Sequence, residues 1–143
     1  MKIVKVVLVL VIMGILGVFL VYKFIYNKPH IDYEKAEAEI SVPASKLFED
    51  FRNNPEDATG TYTGKVIEIA GMINNVETID SLVVAVFVFD EGMFGNEGVR
   101  VTMLPAYHEA ILGHNPNLSV ILKGYCTGYN DTDVILEKGS IVH

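Results

Sequence analysis

The stretch from Tyr62 to Ile73, reading Tyr-Thr-Gly-Lys-Val-Ile-Glu-Ile-Ala-Gly-Met-Ile, constrains this chain more than any other. A Gly64-Lys65 turn leads into Val66, Ile67, Ile69 and Ile73, whose branched side chains suit a pleated surface. Gly71 interrupts the run, and a lone glycine inside a strand marks a bulge or a tight bend. A long first strand needs such a bend if a small sheet is to close on itself. The stretch therefore predicts the first strand of a small β-barrel over Lys65–Ile73, with Gly71 as its bulge.

Further strand signals follow in order. Asn74-Asn75 and Asp80-Ser81 bracket a connection. Leu82–Phe89 is apolar at every position, as a strand buried on both faces would be. Asp90–Gly98, with three glycines, reads as a loop. Val99, Val101 and Met103 alternate with Arg100 and Thr102, which predicts a strand with one wet face. Pro105–Leu112 reads as a short helix closed by Gly113, Leu118–Tyr125 as a strand, Gly128–Thr132 as a turn and Asp133–Val142 as a last strand kinked at Gly139. The expected architecture is mainly β with flanking helices: a five-stranded OB-fold barrel of order β-β-β-α-β-β.

What precedes the barrel is of two kinds. Val6–Tyr22 is an uncharged run of 17 residues. A helix over Ile3–Tyr26 would be about 36 Å long, enough to cross a hydrocarbon core of roughly 30 Å. A cleaved signal peptide would have a shorter apolar core followed by small residues, whereas Tyr22-Lys23-Phe24-Ile25-Tyr26 is bulky. Residues 1–26 are therefore expected to be an uncleaved signal-anchor in the cytoplasmic membrane. Lys2 and Lys5 favour the N-terminus inside and the remainder outside. Residues 27–40 read as a polar, mostly acidic tether, with Pro29 ending the membrane helix. Residues 41–143 form the barrel domain, opening on a helical lead-in. Ser41 is its expected cap, Pro43 lies in its first turn, and Leu47, Phe48 and Phe51 share one stripe. Asn54-Pro55 ends that helix and opens a second short turn.

These pieces resemble the tRNA-anti-like OB-fold family, small bacterial proteins that are mostly membrane-anchored or lipoproteins. The resemblance rests on Asn27-Lys28-Pro29-His30, on the Leu47-Phe48 helix, on Tyr62-x-Gly64-Lys65-Val66-Ile67-x-Ile69-x-Gly71, and on Val120-x-x-Lys123-Gly124-x-Cys126-x-Gly128. It implies likeness in fold to anticodon-binding barrels. Members of the family often carry further cysteines in strand three and near the C-terminus. This chain has Thr102 and Ser140 there, so thiol chemistry shared with those members is not expected.

Chemistry is sparse. His30, His108, His114 and His143 make no metal-binding spacing. Cys126 stands alone, without a neighbouring histidine or a second cysteine, and reads as a buried structural thiol. No triad spacing and no phosphate loop is present. No catalytic residue, metal or cofactor is therefore expected, and the chain reads as a non-enzymatic binding module.

Small barrels of this kind bind ligands on the face of strands two and three and on the loops beside it. The residues expected there are Asn74, Asn75, Arg100, Thr102, Lys123, Tyr125, Tyr129 and Asn130. Residues 27–143 hold eight of the 11 basic side chains and all 18 acidic ones, a net −10. Such a surface repels phosphate unless its few cations converge. The expected partners are the membrane, through residues 3–26, and a protein, peptide or small polar molecule. Nucleic acid is not expected; single-stranded oligonucleotide on the same face is the rival reading.

Overall fold

The computed structural model describes residues 1–26 and 31–143, in two compact units that divide between Ile31 and Asp32. The Asn27-Lys28-Pro29-His30 motif, and with it the helix stop expected at Pro29, lies outside the described residues. In the first unit α1 spans Lys2–Val21 and continues as a π-helical stretch, Tyr22–Tyr26. Over its most apolar 18 residues the mean hydropathy is 3.0 and no residue is buried, so this helix is long and apolar enough to cross a membrane.

The second unit is a seven-stranded sheet with three α-helices. Strand β1 spans Ile40–Pro43, followed by helices α2 (Ala44–Asn53) and α3 (Pro55–Tyr62) and strands β2 (Val66–Met72), β3 (Asn75–Ile79), β4 (Leu82–Gly92) and β5 (Gly95–Met103). A 3₁₀ turn at Pro105–Tyr107 leads into α4 (His108–Leu112), then β6 (Ser119–Tyr129) and β7 (Asp133–Ile141). The strand order is β1-β2-β6-β7-β5-β4-β3. Strands β2 and β3 are halves of one long bent strand. The first half pairs with β6 and the second with β4, so the bend closes the barrel. This is an OB-like fold, with two strands beyond the expected five: one from the bend, one from β1.

The bend sits two residues beyond Gly71. Register between β2 and β6 runs unbroken from Val66 to Met72, so Gly71 is not a bulge. It is a close-packing position, where a Cβ would stand 3.2 Å from the Phe87 ring and 3.4 Å from Ala44 Cβ. The chain turns at Ile73-Asn74 instead. Asn74 holds the turn with both ends: its N–H donates to Val86 O at 2.9 Å, and its side-chain oxygen accepts the Val88 N–H at 2.8 Å. Asn75, read as part of a connection, opens β3. The expected loop at Asp90–Gly98 is mostly paired too; β4 and β5 form a hairpin closed by Gly92 opposite Gly95.

Ser41 is not a helix cap. It lies in β1, which runs parallel to β2, and its hydroxyl donates to Glu68 at 2.9 Å. The helix begins at Ala44 with Pro43 as its N-cap residue. As the stripe predicts, α2 buries Leu47, Phe48 and Phe51. These side chains join Ile67, Ile69, Phe87, Val99, Val101, Leu122, Val134 and Leu136 in one core. Residues 32–40, read as tether, lie in this unit. Asp32–Ala36 forms a turn, and the Glu39 N–H donates to Val66 O at 2.9 Å.

Candidate ligand-binding face

The outer face of β3, β4 and β5 is built by register. Glu77, Val84 and Thr102 stand side by side across the three strands, with Asn75, Val86 and Arg100 in the next row. Strand β7 continues that second row at Ile135. Arg100 is fully engaged. Its Nη1 lies 2.7 Å from Glu77 and its Nε 3.0 Å from Asp133. Burial by itself would lower the Arg100 pKa, but the two carboxylates outweigh it and raise it. The other Asp133 oxygen accepts the Gly98 N–H at 3.1 Å. In the same two rows Val84 and Val86 are outward-facing yet only 7% and 3% exposed.

Beside this Arg100 clasp lies an open groove of about 380 Å³, lined by Leu82, Thr102, Met103, Leu104, Pro105, Glu137 and Lys138. Leu82, and Ile79 opposite it, are half-exposed. Lys138, held at φ 56° in the irregular part of β7, has no ion pair or hydrogen bond among the described residues. The other basic side chains of residues 32–143 are all occupied. Lys35 pairs with Asp32, Lys46 with Asp50, and Arg52 with Asp90 and Glu97. Lys65 and Lys123 donate to main-chain carbonyls at Thr61 and Glu34.

The eight residues expected to form one site fall in four places. Thr102 lines the groove, and Arg100 is locked in the clasp beside it. Asn74, committed to the strand bend, and Asn75 both border a smaller hollow of about 180 Å³ with Ile73, Val76, His114 and Pro116. Lys123 and Tyr125 lie on the outer face of β6, where the Asp32–Ala36 turn covers them. The Tyr33 ring sits 5.3 Å from that of Tyr125, Lys123 Nζ is 2.9 Å from the Glu34 carbonyl, and the Tyr107 hydroxyl donates to the Glu34 carboxylate at 2.8 Å. Tyr129 and Asn130 form the β6–β7 turn. The Tyr129 ring packs 5.7 Å from Phe51, and the Asn130 side-chain oxygen accepts from Thr132 and Asp133, the latter at 2.7 Å.

Lys65, Arg100 and Lys123 do not converge. Arg100 is opposite Ile135, which is opposite Gly128, five residues along β6 from Lys123. At about 3.3 Å per residue and 4.8 Å per strand, that places Lys123 and Arg100 roughly 20 Å apart. The groove residues Leu82, Leu104, Pro105, Glu137 and Lys138 carried no signal in the sequence, since which apolar residues stay exposed depends on how the sheet closes.

Cys126 is buried, and burial pushes its thiol up to about 11. Among the described residues no group of His, Cys, Asp and Glu could hold a metal ion. His108 and His114 instead bond the main-chain carbonyls of Met103 and Leu118.

A family model described as tRNA_anti-like matches residues 1–141. No curated protein matches the chain. A crystal structure from Klebsiella pneumoniae subsp. pneumoniae MGH 78578, of a lipoprotein described as a candidate nucleic acid binder, is similar with a TM-score of 0.53 at 15% identity. The alignment covers 81% of this chain and 100% of that one. At that identity the likeness is one of fold. Yeast Stn1 and Ten1 give a looser match, with a TM-score of 0.32 at 10% identity over 78% of this chain and 66% of theirs.

Proposed function

We propose, given that this chain belongs to the tRNA_anti-like family, that it is a membrane-tethered, non-enzymatic OB-fold binding module whose ligand is a protein segment, a peptide or a small polar molecule. Residues 3–26 are the anchor, retained in the cytoplasmic membrane, and residues 32–143 work outside it. The observation that carries the ligand class is the state of the outer face. An open groove there joins apolar Leu82, Leu104 and Pro105 to the Thr102 hydroxyl and to an acid and a base, Glu137 and Lys138. An apolar floor with a few polar groups suits a peptide-sized ligand. Among the described residues of 32–143, every lysine and arginine except Lys138 already has a partner.

A second reading, single-stranded nucleic acid on the same face, is favoured by the description of the Klebsiella lipoprotein. The two are separated by titrating isotope-labelled residues 32–143 with a pool of short peptides and with a mixed-sequence oligonucleotide, following amide NMR shifts. The first reading expects the peptide pool to shift Leu82, Thr102 and Lys138 and the oligonucleotide to leave them unmoved. The reverse pattern overturns it.

A further inference from the structure

We propose that the Met93-Phe94 tip of the β4–β5 hairpin inserts into the interfacial layer of a zwitterionic bilayer, a second membrane contact that rests on reading residues 3–26 as a retained anchor. Met93 and Phe94 are 92% and 91% exposed, more than any other large apolar side chain of residues 32–143. They do not dangle. Gly92 pairs with Gly95 directly beneath them, and Glu91 with Asn96 below that. Arg52 of α2 bridges Asp90 and Glu97, two acids that face each other across the hairpin. Phe48 of the same helix stacks on Phe89 at 5.8 Å. The hairpin base is thus fastened to α2, and the tip is held out from the fold.

Size and charge together select the occupant. A stable protein interface takes about 800 Å² from each side, and an aromatic side chain buries at most about 250 Å². Two side chains fall short of that, and the surface next to them is acidic: Asp90, Glu91 and Glu97. A fluid apolar phase needs nothing beyond the two side chains themselves. The same chain carries α1, long and apolar enough to hold the domain beside a bilayer, so insertion becomes an intramolecular event at high effective concentration. Arg52 compensates only part of the acidic collar, and among the described residues Glu91 has no ion pair. Anionic headgroups would therefore repel the tip, and phosphatidylcholine would accept it.

The chain has no tryptophan, so Phe94→Trp supplies a single reporter. The full-length variant is reconstituted into phosphatidylcholine vesicles with and without brominated acyl chains. The proposal expects blue-shifted emission that the brominated lipid quenches. It also expects less quenching when Met93→Ser is added and when phosphatidylglycerol replaces phosphatidylcholine. Alkaline carbonate extraction of the same vesicles reports separately on α1. A protein that stays with the vesicles while its fluorophore emits as if in water, unquenched, overturns the tip contact and leaves the anchor reading standing. A fluorophore shielded from aqueous iodide but untouched by brominated lipid also overturns it, in favour of burial against protein. Release of the whole chain by carbonate removes the anchor on which the proposal rests.

Discussion

Gly98→Ala should destabilise residues 32–143 more than almost any other single methyl group. Gly98 is buried where β5 passes the irregularity in β4 between Val88 and Asp90. A Cβ there would stand 1.8 Å from the Phe87 carbonyl oxygen, 2.9 Å from its carbonyl carbon and 3.2 Å from Val88 Cα. All three are main-chain atoms, so no side chain can swing away. A tolerable C···O approach is about 3.3 Å, so β4 and β5 would have to part by roughly 1.5 Å. That exceeds what their ladder bonds tolerate, since N–H···O contacts weaken beyond about 3.2 Å. If β5 gives way it closes on β7, its other neighbour, and crowds Asp133, which holds the Gly98 N–H and Arg100 Nε. Overpacking costs about 1–3 kcal/mol, and each ladder bond stretched between β4 and β5 about 0.5–1.5 kcal/mol. The expected loss is about 3–5 kcal/mol, a large part of the stability of a domain this size. With a urea slope of about 1–2 kcal/mol per molar, the midpoint should fall by roughly 1.5–5 M. Equilibrium urea unfolding followed by far-UV circular dichroism reads this directly. Gly60→Ala is the control: its Cβ meets nothing within 4 Å in α3, so better helix propensity should raise the midpoint slightly. A Gly98→Ala midpoint within about 0.3 M of the parent would refute the packing argument.

Gly71→Val should cost about 1–3 kcal/mol by the same assay, through overpacking against the Phe87 ring; Phe87→Leu in the same chain should recover part of it, and no recovery would mean the strain lies elsewhere. Tyr62 gives a pH signature. Burial, and the 2.7 Å bond its hydroxyl donates to Asp50, push its pKa up to about 12 from 10.0. A value raised on folding means stability is intact below pH ~10 and drains away as the pH climbs towards 12. The urea midpoint should fall over that window, and Tyr62→Phe should flatten the fall; an unchanged slope in the variant would discount the Tyr62–Asp50 bond.

Much of the barrel was legible because its signals are local. Leu82–Phe89 and the alternation Val99, Val101, Met103 need no partner to be read as strands. The failures came where a residue's role is set at long range. Asn74 looks like a turn former, and it does turn the chain, but its side chain replaces a ladder bond to β4 so that pairing resumes at Asn75. Pro43 looks like part of a helix's first turn; it ends a four-residue strand instead, because β2 offers Ile40–Pro43 an edge. The site was harder still. Lys123 and Tyr125 do face outward as alternation requires, yet Tyr33 and Glu34, some 90 residues earlier, fold over them. Arg100 was correctly placed on the wet face, but nothing local shows that Glu77 and Asp133 flank it. The groove around Lys138 exists only once β4, β5 and β7 are brought together.

If this acidic barrel binds something other than nucleic acid, fluorescence anisotropy with labelled single-stranded oligonucleotides across a salt series will show it. Each phosphate neutralised contributes about −0.7 to the salt slope on single strands. With Lys138 as the lone unengaged cation among the described residues of the barrel unit, the slope should be small. We expect no appreciable binding of residues 32–143 at ~150 mM salt, where the Debye length is about 8 Å. Micromolar affinity that weakens steeply with salt, and is abolished by Lys138→Ala or by Lys123→Ala, would contradict the account and establish the nucleic-acid reading in its place.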